Sequence, residues 1–129
     1  IRREHLIAPV TCQESDTIIQ VAQKLRDTNR RHLVVVDANE IPVGIISVTD
    51  LNNKIIAEQA DPAKLRAEDV MTRNIMTVST DEGYDKAFFL MERLNTTSIP
   101  IVEDGKLYGI LEFSQSHRLR TLGNPLEEN

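Results

Sequence analysis

The feature that most restricts how this chain can fold is an internal repeat. Leu33–Asp50 reads LVVVDANEIPVGIISVTD and Ile99–Ser114 reads IPIVEDGKLYGILEFS, and setting Val36 on Val102 gives an offset of 66 residues. The register holds upstream: Ile18, Val21, Ala22 and Leu25, spaced as one face of a helix, recur as Tyr84, Ala87, Phe88 and Met91. Past the turn the offset falls to 65, which sets Gly44 on Gly109 and makes the second turn one residue shorter. Agreement at both the helical and the strand period marks duplication, and a repeat has to be settled before any other part of a fold.

Each copy reads as extended piece, helix, strand, turn, strand, helix. In the first, Pro9–Cys12 is extended and Ser15 or Asp16 can cap a helix over residues 17–28. The apolar runs Leu33–Val36 and Ile41–Val48 flank Asp37-Ala38-Asn39-Glu40, whose Asp and Asn side chains suit a turn. A helix over 51–59 follows. Asp61-Pro62 pairs an N-cap with a first-turn proline, opening a helix that carries Leu65 and Val70. Residues 74–78 are extended, Asp81 caps a helix over 82–94, and a closing helix over 115–122 stops at Gly123. The expected domains are a first repeat over 1–60 with its lead-in, a second over 61–124 with a leading helix, and a loose tail over 125–129. A small sheet with helices on one side is marginal alone. The fold class expected is therefore α+β, with two β-α-β-β-α repeats packed through their sheets about a pseudo-twofold axis and a cleft on each side.

Composition narrows the function. The net charge of −5 argues against a nucleic-acid surface, which needs a basic face. No apolar run approaches the ~20 residues that span a bilayer, and the N-terminal apolar stretch is too short for a secretory signal. The chain does not begin with Met, which points to processing or to a piece of something longer. One cysteine, Cys12, excludes an internal disulfide and fits a reducing, cytoplasmic setting. Cys12 has no base at a recognisable spacing, and His5, His32 and His117 fall at unrelated places, so neither a nucleophile nor a metal site is expected.

Ser47, Thr49 and Asp50 stand at the carboxyl end of a strand, where α/β units place ligand contacts. A carboxylate accepting from a vicinal diol is one way to hold a ribose; the same residues also suit a helix cap. The ordered motifs resemble the tandem CBS (cystathionine-β-synthase-type) domain, the Bateman module. They are Leu33-Val34-Val35-Val36-Asp37, Val43-Gly44-Ile45-Ile46-Ser47-Val48-Thr49-Asp50, Asp69-Val70-Met71-Thr72, Ser98-Ile99-Pro100-Ile101-Val102 and Tyr108-Gly109-Ile110-Leu111.

The resemblance implies a regulatory module without catalysis, binding AMP, ADP, ATP or S-adenosylmethionine between its repeats and signalling to a fused or separate effector domain. It implies no covalent cofactor, the adenine nucleotide being a regulatory ligand. It assigns Asp50 to the ribose hydroxyls, Ser47 and Thr49 to ribose or phosphate, Ile75 and Met76 to one adenine face and Ile45 to the other. Arg31 takes phosphate, Arg30, His32 and Arg73 add charge, and Thr97 or Ser98 approaches from the second copy. In the second copy Ser47, Thr49 and Asp50 become Glu112, Ser114 and Gln115. Glu112 would repel a phosphate, so a second site bounded by Pro9, Val10, Glu112, Ser114 and Gln115 is expected to be weaker. The resemblance also implies a homodimer formed through helices, for which Ile55, Ile56, Phe89 and Leu90 are candidates. A ligand-free dimerisation scaffold is the rival reading.

Overall fold

The structure is a computed structural model and describes residues 1–112. It is mixed α+β with two three-stranded sheets. Two compact units form, Pro9–Ile75 and, second, Ile1–Ala8 with the chain from Met76 onward. The closing helix expected over 115–122, like Ser114 and Gln115, lies outside the described residues.

In the first unit β1 (Thr11–Gln13) runs parallel to β2 (His32–Val36), which pairs antiparallel with β3 (Pro42–Ser47). Helix α1 (Ile18–Thr28) connects β1 to β2, and α2 (Val48–Leu51) follows β3 and continues as a π-turn over Asn52–Ile56. A 3-10 turn (Pro62–Lys64) and α3 (Ala67–Val70) complete it. The second unit repeats the plan with β4 (Val78–Ser79), α4 (Tyr84–Arg93), β5 (Ser98–Glu103) and β6 (Lys106–Glu112). Its strands pair in the same order and directions. The duplication extends to irregularities: the β2–β3 ladder slips between Val35 and Val36, and β5–β6 slips between Ile101 and Val102, 66 residues on.

Local chemistry sets the boundaries. The cap of α1 is Thr17, not Ser15 or Asp16: its hydroxyl accepts from the Gln20 N–H and the Gln20 side chain accepts from the Thr17 N–H. Asp16 instead accepts from the Gln13 N–H, closing the turn before the helix. Its counterpart Glu82 does the same for Ser79, so α4 starts at Tyr84, later than expected, with Gly83 at its cap. The first hairpin turn is held by Asp37, whose Oδ1 accepts from the Asn39 and Ile41 N–H groups. The second is a two-residue turn with both Asp104 and Gly105 at positive φ, the twist that suits a hairpin. The single helix expected after Asp61 breaks in two at Arg66, which is extended. Asn74, expected in an extended run, is left-handed at φ 57°.

The first core gathers Ile18, Val21 and Leu25 of α1, Leu33, Val35 and Ile46 of the sheet, and Ile55, Val70 and Met71 behind them. The second gathers Val78, Ala87, Met91, Ile99, Ile101 and Leu111. Each buried Val, Leu, Ile or Met side chain among these contributes roughly 1.5–3 kcal/mol by leaving water.

The lead-ins are exchanged between the sequence copies. Thr72, which opens the second copy, trades two backbone hydrogen bonds with Ile45 of the first hairpin (3.1 and 2.8 Å). At the equivalent register Ile7, which opens the first copy, trades two with Ile110 (2.9 and 3.1 Å). Gly44 and Gly109 make this approach possible. A Cβ on Gly44 would lie 2.6 Å from the Met71 sulfur, and one on Gly109 would lie 2.9 Å from Leu6 Cβ. In the second unit the lead-in is further fixed by Arg3, stacked 5.0 Å over the Tyr108 ring, and by a hydrogen bond between His5 and Tyr84.

Candidate functional site

The corner between β3 and α2 is a capping box. Ser47 Oγ accepts from the Asp50 N–H at 3.0 Å and Asp50 Oδ2 accepts from the Ser47 N–H at 2.9 Å. The helix therefore begins at Val48, three residues before the expected Leu51, because Ser47 satisfies a donor that its first turn leaves free. The other carboxylate oxygen, Asp50 Oδ1, lies 3.3 Å from Lys54 Nζ. Its side chain is 17% exposed, so the carboxylate is fixed at both oxygens and still open to solvent. Two carboxylate oxygens offer about four lone-pair sites. Capping and ligand acceptance are compatible here. Thr49 is exposed on the same turn.

The residues around this corner come from one unit. His32 pairs with Ser47 across the β2–β3 ladder, and the Arg31 carbonyl accepts from the Val48 N–H at 2.8 Å. The Arg31 side chain is exposed and borders a surface recess of about 370 Å³ lined also by Leu25, Arg26, Arg30, Val48 and Leu51. That recess includes neither Ser47 nor Asp50. Ile45 is half-buried and fixed to Thr72 through both its backbone groups. Arg73, just beyond, is exposed and donates to the Glu68 carbonyl at 3.1 Å, and Ile75 is half-buried. Ile45, Ser47, Thr49, Asp50, Arg31, His32, Arg73 and Ile75 thus share the first unit, whereas Met76, Thr97 and Ser98 belong to the second. Met76 is exposed, and Ser98 pairs with Glu112 in the ladder. Of the second candidate site, Pro9 and Val10 are half-buried in the first unit, where the Val10 carbonyl accepts from Val34 and its side chain packs on the core. Glu112 is half-buried at the end of β6.

Lys54 is a residue that sequence reasoning passed over. Its ammonium reaches Asp50, the Val70 carbonyl at 2.8 Å and Thr72 Oγ1 at 3.4 Å. The four-residue spacing from Asp50 was the signal that could have found it. Among the helix candidates for dimerisation, Ile55 is core, Leu90 packs on the second core, and Ile56 and Phe89 are exposed. Cys12 is buried, and burial followed by the nearby Asp16 pushes its thiol up to about 11. Among the described residues no group of His, Cys, Asp or Glu is arranged to hold a metal, and no helix is long and apolar enough to cross a membrane.

Two three-stranded sheets with matched registers and a Ser-x-x-Asp corner on the first define a duplicated α+β repeat, and comparison with known proteins agrees. The CBS domain family matches residues 5–57 and again 67–114. The chain belongs to the CBS domain family, as a pair. It is similar to the L-aspartate semialdehyde sulfurtransferase of Methanocaldococcus jannaschii, with 32% identity over 86% of this chain and 21% of that protein. An uncharacterised Methanopyrus kandleri protein is 32% identical over 79% of this chain and 53% of its own length. The chain thus spans about half or less of these curated relatives. Among solved structures it is similar to a CBS domain pair in complex with 5′-methylthioadenosine and S-adenosyl-L-methionine. That likeness has 30% identity, covers 95% of this chain and 96% of the other, and has a TM-score of 0.77.

Proposed function

We propose that this pair is a regulatory module whose Asp50 corner binds the cis-diol of an adenosine-containing ligand, of the AMP, ADP or ATP class. The carrying observation is the fixed carboxylate of Asp50, held at both oxygens in a solvent-open corner with Thr49 beside it. A diol donates two hydrogen bonds to such a group without displacing its existing partners. Ile45 and Ile75 supply apolar surface for the base, and Arg31 supplies a planar donor fork for phosphate. The module performs no chemistry of its own; occupancy is passed to a partner or fused domain through the ligand's different affinity for two states.

A second reading is favoured by the 30%-identical pair that holds 5′-methylthioadenosine and S-adenosyl-L-methionine. These ligands share the adenosine moiety and replace the anionic 5′ group with a thioether or sulfonium, so they would use the same corner without Arg31. Melting curves against adenosine, AMP, ATP, S-adenosylmethionine and methylthioadenosine test both readings. A ligand at a hundred times its dissociation constant adds about 2.7 kcal/mol. Stabilisation by the phosphates above adenosine supports the first reading, and by the sulfur compounds the second. No shift with any of the five would leave a ligand-free scaffold.

A further inference from the structure

We propose that Lys54 is a positioning residue that ties the Asp50 corner to the exchanged lead-in, so that a ligand on Asp50 is felt at Val70–Thr72. The consequence for ligand rests on the reading of Asp50 given above; the tie itself does not.

Lys54 sits in the π-turn that follows α2, four residues after Asp50. An ammonium has three N–H donors, and three acceptors lie around this one: Asp50 Oδ1 at 3.3 Å, the Val70 carbonyl at 2.8 Å and Thr72 Oγ1 at 3.4 Å. Val70 is the last residue of the four-residue α3, so its carbonyl has no acceptor role inside the helix. A cation is the favoured partner for such a helix end. The next residues along the chain are Met71, packed under Gly44, and Thr72, bonded to Ile45. Arg73 and Ile75 follow. One side chain therefore holds the corner that would accept a ribose and the lead-in segment that carries two further candidate ligand residues.

The direction of coupling follows from charge. In the free protein one ammonium divides its charge among Asp50 Oδ1, the Val70 carbonyl and Thr72 Oγ1, with a donor for each. A diol donating to Asp50 disperses part of the carboxylate charge, and Lys54 then bonds more fully to the lead-in. Ligand on Asp50 tightens Val70–Thr72.

The experiment is amide hydrogen exchange on the full chain, as wild type, Lys54→Met and Lys54→Arg. In the free protein, Lys54→Met should speed exchange at Thr72 and Ile45 about tenfold, the loss of one hydrogen bond to a charged group. Val34 and Val35 in the central strand should be unchanged, and Lys54→Arg should recover part of the protection. Equal acceleration of all amides, or no acceleration at Thr72, would overturn the tie. Adenosine at saturation should then slow Thr72 in the wild type but not in Lys54→Met, although both still bind it; equal slowing in both would overturn the coupling. If none of adenosine, AMP, ATP, S-adenosylmethionine and methylthioadenosine binds either protein, the ligand reading fails and the coupling with it, while the free-protein comparison still decides whether Lys54 holds the lead-in.

Discussion

Gly44→Ala is the sharpest test of the exchanged lead-in. The new methyl would stand 2.6 Å from Met71 Sδ, 2.9 Å from Cγ and 3.0 Å from Cβ. The thioether end can swing away, but Met71 Cβ cannot, because Thr72 beside it is bonded twice to Ile45. Met71 is only 6% exposed, so the displaced sulfur has little free room. Overpacking of this kind costs about 1–3 kcal/mol, and the stiffer unfolded chain returns about 0.4–1. The net loss is about 1–2 kcal/mol, or roughly 5–10 °C in melting temperature for a unit of this size. A double-mutant cycle with Met71→Ala isolates the contact. Met71→Ala alone should cost about 2–5 kcal/mol through its cavity, and in the double variant the methyl introduced at position 44 occupies part of that space. Denaturant unfolding should show the double variant more stable than the summed single effects by about 1 kcal/mol or more. Additivity within about 0.5 kcal/mol would refute packing of Met71 on Gly44.

Other expectations follow from the same contacts. Thr17→Ala and Ser47→Ala each remove a capping side chain and should cost about 0.5–2 kcal/mol in denaturant unfolding. The Cys12 thiol is raised to about 11 by burial, so the folded state disfavours its thiolate. Stability from that group is complete below the unfolded thiol's range and falls as pH rises from about 9 toward 11, by roughly 2–3 kcal/mol. Cys12→Ser or Cys12→Ala should flatten that part of the profile, and native Cys12 should react with iodoacetamide far more slowly at pH ~8 than after unfolding. Arg31→Ala should weaken ATP and AMP much more than adenosine in calorimetric titration; equal losses would remove Arg31 from phosphate contact.

The hairpins were legible because their signals are local. Asp37 closes its own turn, and β-branched runs flank it. The repeat offset transferred the hairpin of the first copy to the second, down to the one-residue difference in turn length. Residues 61–75 were harder to place. They read as the lead of the second copy, yet Ala67, Val70 and Met71 lie in the core of the first unit. What holds them there is tertiary: a glycine that admits Met71, a two-bond bridge to Ile45, and Lys54. These contacts join residues far apart in the sequence, so no short window shows them. The cap of α1 moved to Thr17 because Asp16 was already engaged with Gln13, a competition between neighbouring oxygens that composition alone does not rank. The Asp50 corner was legible as chemistry and its i, i+4 ion pair with Lys54 as spacing, whereas the reach of Lys54 to Val70 and Thr72 is tertiary.

The proposed role of the pair turns on Asp50 taking a ribose diol. Titration calorimetry of the wild type and Asp50→Asn with adenosine and with 2′,3′-dideoxyadenosine tests it directly, since the Asn side chain can still accept from the Ser47 N–H and preserve the cap. The wild type should bind adenosine at least tenfold more tightly than the dideoxy compound, equivalent to about 1.4 kcal/mol, and Asp50→Asn should erase most of that preference. Equal affinity of the wild type for both nucleosides, or a preference that survives Asp50→Asn, would contradict it.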